Sequence, residues 1–233
     1  MPADTFPASR IEAVVFDVIG TLVDEDSTWA SAAERLCAAA GLGDPATLHR
    51  RWAGLLDERM GEVVAGRAPW RRHRRLVVDA ARDAITSSGG TVTPELLEEA
   101  AALEDSYPAW PDVAAATAAL RRDRIVAGVS NADLDALARL ANRNGISWDL
   151  ALSTGAVQTF KPAPAAYEYA IDALGVRPDR TLFVAAHPWD LRAAREHGFR
   201  TAYVARPGAE RPAEGDDFDL ELEDLSTLAG RLG

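Results

Sequence analysis

Lysine and cysteine are almost missing from this chain of 233 residues. Lys161 is the one lysine among 25 lysine and arginine residues, so a position that nevertheless holds lysine is worth attention. Cys37 is the one cysteine, which excludes an internal disulfide and any metal site built from several cysteines. Because Cys37 lies in an alanine-rich helical stretch, we expect it to be a small core residue.

Long apolar runs and an excess of basic charge are missing as well. No stretch approaches the roughly 18 to 20 apolar residues that a membrane span needs, and MPADTFPASR at the N-terminus lacks the basic start and apolar centre of a signal peptide. The formal net charge is −11, and such a chain repels phosphate backbones. We therefore interpret RRHRR at 71–75 as a solvated helix face. The sequence predicts a cytoplasmic protein that binds neither membranes nor nucleic acids.

Short apolar runs bounded by turn residues predict five strands, at 11–18, 124–130, 148–153, 180–186 and 200–205. Helical patterns at 132–144, 163–174 and 191–198 separate the last four of them. Strands that alternate with helices indicate an α/β fold with a Rossmann-like parallel sheet covered on both faces. Sheets of this kind bind ligands at the carboxyl ends of their strands.

The stretch from about 27 to 106 contains no convincing strand. Its pattern predicts helices at 28–40, 46–64, 70–86 and 94–105, separated by turn signals. We therefore predict that residues 1–24 and 108–233 form an α/β core domain and that residues 25–107 form an inserted helical domain. The prolines of YPAWPDV are typical of a hinge at 107–112, and the strip FDLEL in the acidic segment 214–224 is expected to pack its apolar side.

Polar residues follow four of the predicted strands, at one common edge of the sheet. They are Asp17, then Ser130 and Asn131, then Lys161, and finally His187 with Asp190. Taken singly, each has a structural explanation as a turn residue, a helix cap, a surface charge or a loop histidine. A carboxylate, a cation and hydrogen-bonding groups that converge on one edge favour a catalytic site instead.

These motifs resemble a known family. FDVIGTL, SN, FKP and the acidic residue of AHPWD together resemble the haloacid dehalogenase superfamily of hydrolases over essentially the whole chain. The helical stretch stands where that superfamily has its helical cap domain. RRWAGLL with Met60, GRAPW, FKPAPAAY up to Tyr167 and AHPWD are similar to the type II group, the (S)-2-haloacid dehalogenases.

Three positions separate the branches of this superfamily. Phosphatases place an aspartate two residues after the nucleophile and acidic residues after the fourth strand, where they complete the oxygen shell of Mg²⁺. Here those positions hold Ile19, Ala185 and Ala186. Because a hard cation needs several oxygen ligands, we expect no metal and no other cofactor. Ile19 instead supplies an apolar wall suited to a carbon–halogen bond.

The resemblance implies covalent catalysis on a short 2-substituted carboxylic acid. Asp17 attacks carbon 2, expels the leaving group with inversion, and forms an ester that water hydrolyses. Lys161 keeps the Asp17 carboxylate ionised and oriented. Thr21 hydrogen-bonds the nucleophile, and Tyr167 supports the site. The lone lysine thus falls where the family requires a compact ammonium, which a planar arginine does not reproduce.

The resemblance also implies how the substrate is held. Ser130 and the backbone N–H groups near Val18 and Ile19 would bind the substrate carboxylate, and Asn131 would face the departing halide. Trp189 would line the apolar pocket, and Trp52 corresponds to the tryptophan of the family's cap.

One departure from the family concerns the hydrolytic step. Family members commonly have Ser and Asn where this chain has Ala185 and His187. We hypothesise that His187 is the general base for ester hydrolysis, with Asp190 orienting either it or the water, since imidazole with a pKa of about 6.5 suits that task. A histidine that only bonds a loop carbonyl is the alternative.

A second departure concerns the leaving group. After Trp52, where these dehalogenases usually place a halide-binding arginine, stands Ala53. Arg50 and Arg51 are not automatic substitutes, because side-chain directions rotate by about 100° per residue along a helix. Departure of fluoride, and opening of a strained ring by the same attack of Asp17, are therefore further hypotheses for the bond that breaks.

The leading hypothesis is a metal-independent 2-haloacid dehalogenase-like hydrolase that binds a small carboxylic acid. Three alternatives stay open: a hydrolase of a related non-halogenated acid by the same mechanism, an Mg²⁺-dependent phosphatase, and a non-catalytic protein that binds a small acid. A homodimer that pairs through residues 46–64 is compatible with the sequence, although core packing is the favoured use of its apolar residues.

Overall fold

The computed structural model describes Phe6 and residues 8–233. The strands are β1 (Ala13–Asp17), β2 (Ile125–Ser130), β3 (Leu150–Ser153), β4 (Thr181–Ala185), β5 (Arg200–Val204) and β6 (Leu220–Leu222). All pair in parallel in one sheet of order β3-β2-β1-β4-β5-β6. The order reverses at β1, so the carboxyl end of β1 is the switch point at which such sheets bind ligands.

The helices are α1 (Glu25–Ala39), α2 (Pro45–Val64), α3 (His73–Ser87), α4 (Pro94–Ala102), α5 (Val113–Leu120), α6 (Leu134–Asn144), α7 (Pro164–Leu174), α8 (Pro188–Glu196) and α9 (Leu228–Leu232). Proline stands at the first position of α2, α4, α7 and α8, where its fixed φ suits a helix start. Gly145 ends α6 with φ +64, a left-handed conformation that glycine adopts without strain. Local sequence thus sets most helix boundaries.

Both faces of the sheet are buried, which explains the continuous apolar runs of its central strands. Side chains alternate along β1, so Val14 and Phe16 join one core with α5 and α9, whereas Val15 joins a second core with α7 and α8. Every residue of β1 is buried. This packing fixes the carboxyl end of β1 between β2 and β4.

Helices α1–α4, which we call the helical insert, stand between β1 and α5 in the chain. They pack in succession, α1 on α2, α2 on α3 and α3 on α4. The two segments that connect the insert to the sheet run side by side: the Asp24 N–H donates to Pro108 O (2.8 Å) and the Trp110 N–H donates to Leu22 O (3.1 Å). The domain boundaries predicted at 24/25 and 107/108 fall beside these contacts and remain a prediction.

The predicted α/β fold with a Rossmann-like parallel sheet is confirmed, and each of the five predicted strands forms. FDLEL contributes β6 at the sheet edge, and α5 and α9 were not predicted, because their short alanine- and leucine-rich patterns lack a polar face. Cys37 is buried in α1 as expected. Within the described residues, no helix combines the length and apolarity that a membrane crossing requires. Most of the N-terminal stretch predicted not to be a signal peptide lies outside the described residues.

Candidate active site

Asp17 ends the central strand and lies almost completely buried at the switch point. The chain then turns at Gly20, whose φ of +79 brings Thr21 back toward the strand end. The Thr21 hydroxyl donates to Asp17 Oδ2 (2.6 Å) and accepts from the Ala186 N–H (2.9 Å). The ends of β1 and β4 are therefore tied together around this carboxylate.

Lys161 supplies a buried ammonium next to Asp17. Its Nζ lies 2.6 Å from Asp17 Oδ1 and also contacts Asp190 Oδ2. The Tyr167 hydroxyl donates to the other oxygen of Asp190 (2.5 Å). The lysine backbone is fixed as well, since the Lys161 N–H donates to Asn131 Oδ1 (2.7 Å). A continuous chain of hydrogen bonds thus runs from Tyr167 through Asp190 and Lys161 to Asp17.

The charges along this run of hydrogen bonds favour an ionised Asp17 carboxylate. Burial alone raises the pKa of the Asp17 carboxyl, but the Lys161 ammonium and the hydrogen bond with His187 outweigh burial and hold that pKa well below its usual range. Burial opposes the charge of Lys161, and the two carboxylates overcome this and raise its pKa. Burial and Asp190 raise the pKa of Tyr167, which stays a neutral hydrogen-bond donor.

His187 contacts the Asp17 carboxylate directly. It stands just before α8, its Nδ1 lies 2.9 Å from Asp17 Oδ2, and its ring packs against Trp189. Asp190 is fully buried, and its two oxygens accept hydrogen bonds from Lys161 and Tyr167. Asp190 therefore holds the lysine, and the prediction that it orients His187 is wrong; that it orients the water stays a prediction. Tyr167 makes no direct contact with Lys161 and acts on it through Asp190.

A cavity of about 330 Å³ lies between this strand edge and the helical insert. The predicted site residues that line it are Asp17, Ile19, Ser130, Asn131, Lys161, His187 and Trp189. Val18, Thr21, Tyr167 and Asp190 are buried directly behind this wall. The structure therefore brings the motif residues of the core together around one small space.

The comparisons with known proteins agree with this geometry. The profile of the haloacid dehalogenase-like hydrolases matches residues 11–198. The chain belongs to this family. An (S)-2-haloacid dehalogenase of Xanthobacter autotrophicus is 32% identical over 216 residues, which cover 86% of this chain and 77% of that protein. The resemblance that the motifs predicted is confirmed.

Solved structures of this hydrolase family superpose on nearly the whole chain. The L-2-haloacid dehalogenase PA0810 gives a TM-score of 0.86 at 30% identity over 95% of this chain and 98% of that chain. The defluorinating L-2-haloacid dehalogenase Rha0230 also gives 0.86, at 27% identity over 97% of each chain. The X. autotrophicus enzyme with chloropropionic acid covalently bound gives 0.79, at 25% identity over 94% and 97%.

The α2 helix departs from what the family resemblance predicts. Trp52 is fully buried inside the insert, where its Nε1 donates to Val77 O (2.9 Å), so the prediction that it binds substrate is wrong. The next residue, Ala53, lines the cavity instead. Arg50 and Arg51 are exposed and bond to Thr47 and to Ser87 and Ser88, so neither guanidinium replaces the expected arginine.

Two further residues line the cavity of this hydrolase, His73 and Glu104. His73 belongs to the segment 71–75, interpreted as a solvated helix face, and Glu104 lies in the short helical turn Leu103–Asp105. His73 opens α3, is buried, and contacts the buried Glu104 through Nδ1. The interpretation of 71–75 as solvated is therefore wrong for His73, although Arg71 and Arg72 are exposed and pair with acidic residues. The sequence does contain a signal for the burial of His73, because His73 shares a helix face with the apolar residues Leu76, Val77 and Ala80.

Glu25 is a third cavity residue that the sequence did not single out. It opens α1, lines the cavity, and is partly buried. Burial raises its pKa to about 7, with Asp17 adding to the rise and His187 opposing it. Acidic residues are common in the first turn of a helix because they interact favourably with the helix dipole. The sequence therefore offers no reason to place Glu25 in the cavity.

The residues of this family member do not fit a magnesium site. Both oxygens of Asp17 already bind Lys161, Thr21 and His187. Ala185 and Ala186 are fully buried where phosphatases carry carboxylates. Among the residues that the structure describes, no group of three or more His, Cys, Asp or Glu side chains is arranged to hold a metal ion.

Proposed function

We propose that this hydrolase converts short 2-haloalkanoic acids to 2-hydroxy acids through an ester on Asp17. The observation that supports this most strongly is an ionised, buried carboxylate held 2.6 Å from a buried ammonium at the floor of a small cavity. A similar enzyme with chloropropionic acid covalently bound, and a similar defluorinating enzyme, support the same chemistry and leave both chloride and fluoride as leaving groups.

In the first step, an Asp17 oxygen attacks carbon 2 of the acid, a C–O bond forms, and the halide departs with the C–X electrons. The Ser130 hydroxyl accepts from the Ala132 N–H (3.2 Å), which leaves its O–H free to donate to the substrate carboxylate. Asn131 is fixed through Oδ1 by Lys161 and Thr154. One N–H of its amide donates to Lys161 O (3.5 Å), and the other is available to the departing halide.

In the second step, water attacks Cγ of the Asp17 ester. His187 takes one proton from the water, hydroxide adds to Cγ, and the ester C–O bond breaks. The departing alkoxide takes the proton back from His187 and leaves as the 2-hydroxy acid. The remaining proton of the water is released as the Asp17 carboxylate re-forms. Each turnover therefore consumes one water and releases one halide ion and one proton.

The substrate class is tested by product release. Halide release is measured from 2-chloropropionate and fluoroacetate in EDTA, beside phosphate release from a generic phosphate ester with Mg²⁺, with Asp17→Asn as the inactive control. We expect halide without metal. Phosphate release with Mg²⁺ supports the phosphatase alternative. Incorporation of solvent ¹⁸O into Asp17 with another acid, without halide, supports the non-halogenated alternative, and binding without turnover supports the non-catalytic one.

The role of His187 is tested by trapping the ester. In His187→Asn, we expect the base to be lost while Asp17 still reacts, so rapid-quench mass spectrometry finds the Asp17 ester accumulating. Hydrolysis should slow by about 10² to 10⁴-fold, the usual contribution of a general base. Loss of turnover without accumulated ester contradicts this role.

A further inference from the structure

The ring of His187 faces a second carboxylate that the mechanism above does not use. A Cβ placed on Gly20 would lie 2.9 Å from His187 Nε2 and 3.3 Å from Glu25 Oε1. Both groups therefore approach the same side of Gly20, whose φ of +79 and missing side chain admit the histidine. Asp17 contacts the ring at Nδ1, whereas Nε2 and Glu25 Oε1 both lie within 3.3 Å of the same point beside Gly20.

The Glu25 carboxylate is available for a hydrogen bond or an ion pair in the cavity. Its carboxylate lines the cavity together with Asp17, Lys161 and His187. Among the described residues, no hydrogen bond or ion pair ties this carboxylate to another group. The charged groups that face His187 are Asp17 on β1, Glu25 on α1 and Lys161 before α7. Glu25 is thus the one carboxylate near the ring that is not already bonded to the catalytic chain.

Formation of the ester changes which of these charges acts on the imidazole. Burial lowers the pKa of His187, and the hydrogen bond and charge of Asp17, followed by the charge of Glu25, raise it above its usual value. Alkylation removes the charge of Asp17. Of the charges that act most strongly on the imidazole, Glu25 then remains as the one that favours its protonated form, against Lys161. An imidazolium formed during ester hydrolysis therefore needs Glu25 as its counter-charge.

We propose that Glu25 is a positioning residue for ester hydrolysis, holding His187 from its Nε2 side and stabilising the imidazolium formed when His187 takes a proton from the attacking water. This inference rests on the proposed function. A base oriented by a third group is a recurring arrangement around covalent intermediates. Here the third group is supplied by the helical insert, whereas the nucleophile and base come from the sheet edge.

Single-turnover kinetics test the proposal. Glu25→Gln keeps the shape of the neutral acid, Glu25→Asp keeps a carboxylate, and Glu34→Gln, exposed on the same helix, is the matched control. With 2-chloropropionate, we expect Glu25→Gln to form the Asp17 ester at an unchanged rate but to hydrolyse it about 10 to 100 times more slowly, within the range of a weakened general base. Glu25→Asp should recover part of that loss, and Glu34→Gln should match the wild type.

A titration that needs no turnover separates positioning from a merely structural role. The pKa of His187, followed by NMR of its ring nitrogens, should fall in Glu25→Gln and stay unchanged in Glu34→Gln. Equal hydrolysis rates in the wild type and Glu25→Gln, or an unmoved pKa of His187, overturn the proposal alone. If the wild type forms no Asp17 ester from any 2-haloacid, the proposed function fails, and the role of Glu25 in hydrolysis fails with it.

Discussion

The two sides of the cavity differ in how completely their polar atoms are bonded. On the sheet side, every side-chain oxygen and nitrogen in the run of hydrogen bonds from Tyr167 through Asp190 and Lys161 to Asp17 has a partner. On the insert side, Glu104 contacts His73 with one oxygen only. Within the described residues, the buried Glu104 Oε2 and the buried Arg74 Nε have no hydrogen-bond partner, although they lie 3.9 Å apart.

This difference separates two tasks. The sheet side holds the proposed nucleophile and its partners, and a parallel sheet can hold them rigidly because several strands end at one edge. The insert side lines the rest of the cavity with groups from helices that pack mainly on one another. Changes on the sheet side should therefore alter the reaction itself, whereas changes on the insert side, apart from Glu25, should alter which acid and leaving group are accepted.

Among the changes that test this comparison of the two sides, the largest effect is expected from Lys161→Arg on the sheet side. The ammonium fits between two buried carboxylates, and a planar guanidinium cannot occupy that point without displacing Asp17 or Asp190. We expect halide release to fall by about 10² to 10³-fold, since small misplacements in a site cost on the order of 10²-fold. Tyr167→Phe, which removes one hydrogen bond to Asp190, is the milder control. Full activity in Lys161→Arg would show that the sheet side is not the rigid half.

The sheet side could be predicted from sequence because local signals and topology coincide there. Asp17, Ser130, Lys161 and His187 each follow an apolar run, and parallel strands bring their carboxyl ends to one edge. The partner of Asp190 could not be predicted, because its direction depends on how α8 sits on the sheet. The sequence suggested the histidine, whereas the structure shows the lysine and Tyr167.

The insert side was harder to predict because helix faces there depend on distant packing. Trp52 and Ala53 are neighbours in sequence, yet one is buried in the insert and the other lines the cavity. His73 was concealed among arginines, and Glu25 looked like an ordinary first-turn acid. Each of these positions is decided by which helix packs against which, and composition does not contain that information.

An intermediate effect is expected from Ala53→Arg, which returns a cation to the insert side. Because Ala53 lines the cavity, we expect the KM for 2-chloropropionate to fall by about tenfold, equivalent to about 1.4 kcal/mol. Gly54→Arg is the matched control, since Gly54 is the next residue on the same helix and is exposed. An unchanged KM for chloro and fluoro acids alike would show that the insert side does not select the leaving group.

The effect furthest from the reaction is on stability, and its sign should differ between the two sides. The pKa of Asp17 is lowered in the folded protein, so its ionisation stabilises the fold, and this contribution is lost as pH falls below its usual range. The pKa of Glu25 is raised to about 7. Folding therefore favours its protonated form, and stability is lost as pH rises from about 4.5, the usual pKa of a glutamate, to about 7.

Glu25→Gln should therefore stabilise the protein above pH 7 and have little effect near pH 4.5. The expected gain is about 1 to 3 kcal/mol, because each pKa unit corresponds to about 1.4 kcal/mol and part of the side chain reaches solvent. Urea unfolding at several pH values checks this, with Glu34→Gln as the control for loss of one charge from α1. A more stable protein with slower ester hydrolysis would mean that the insert side trades stability for function. Equal stability of Glu25→Gln and wild type at pH 8 would remove the contrast in sign between Asp17 and Glu25.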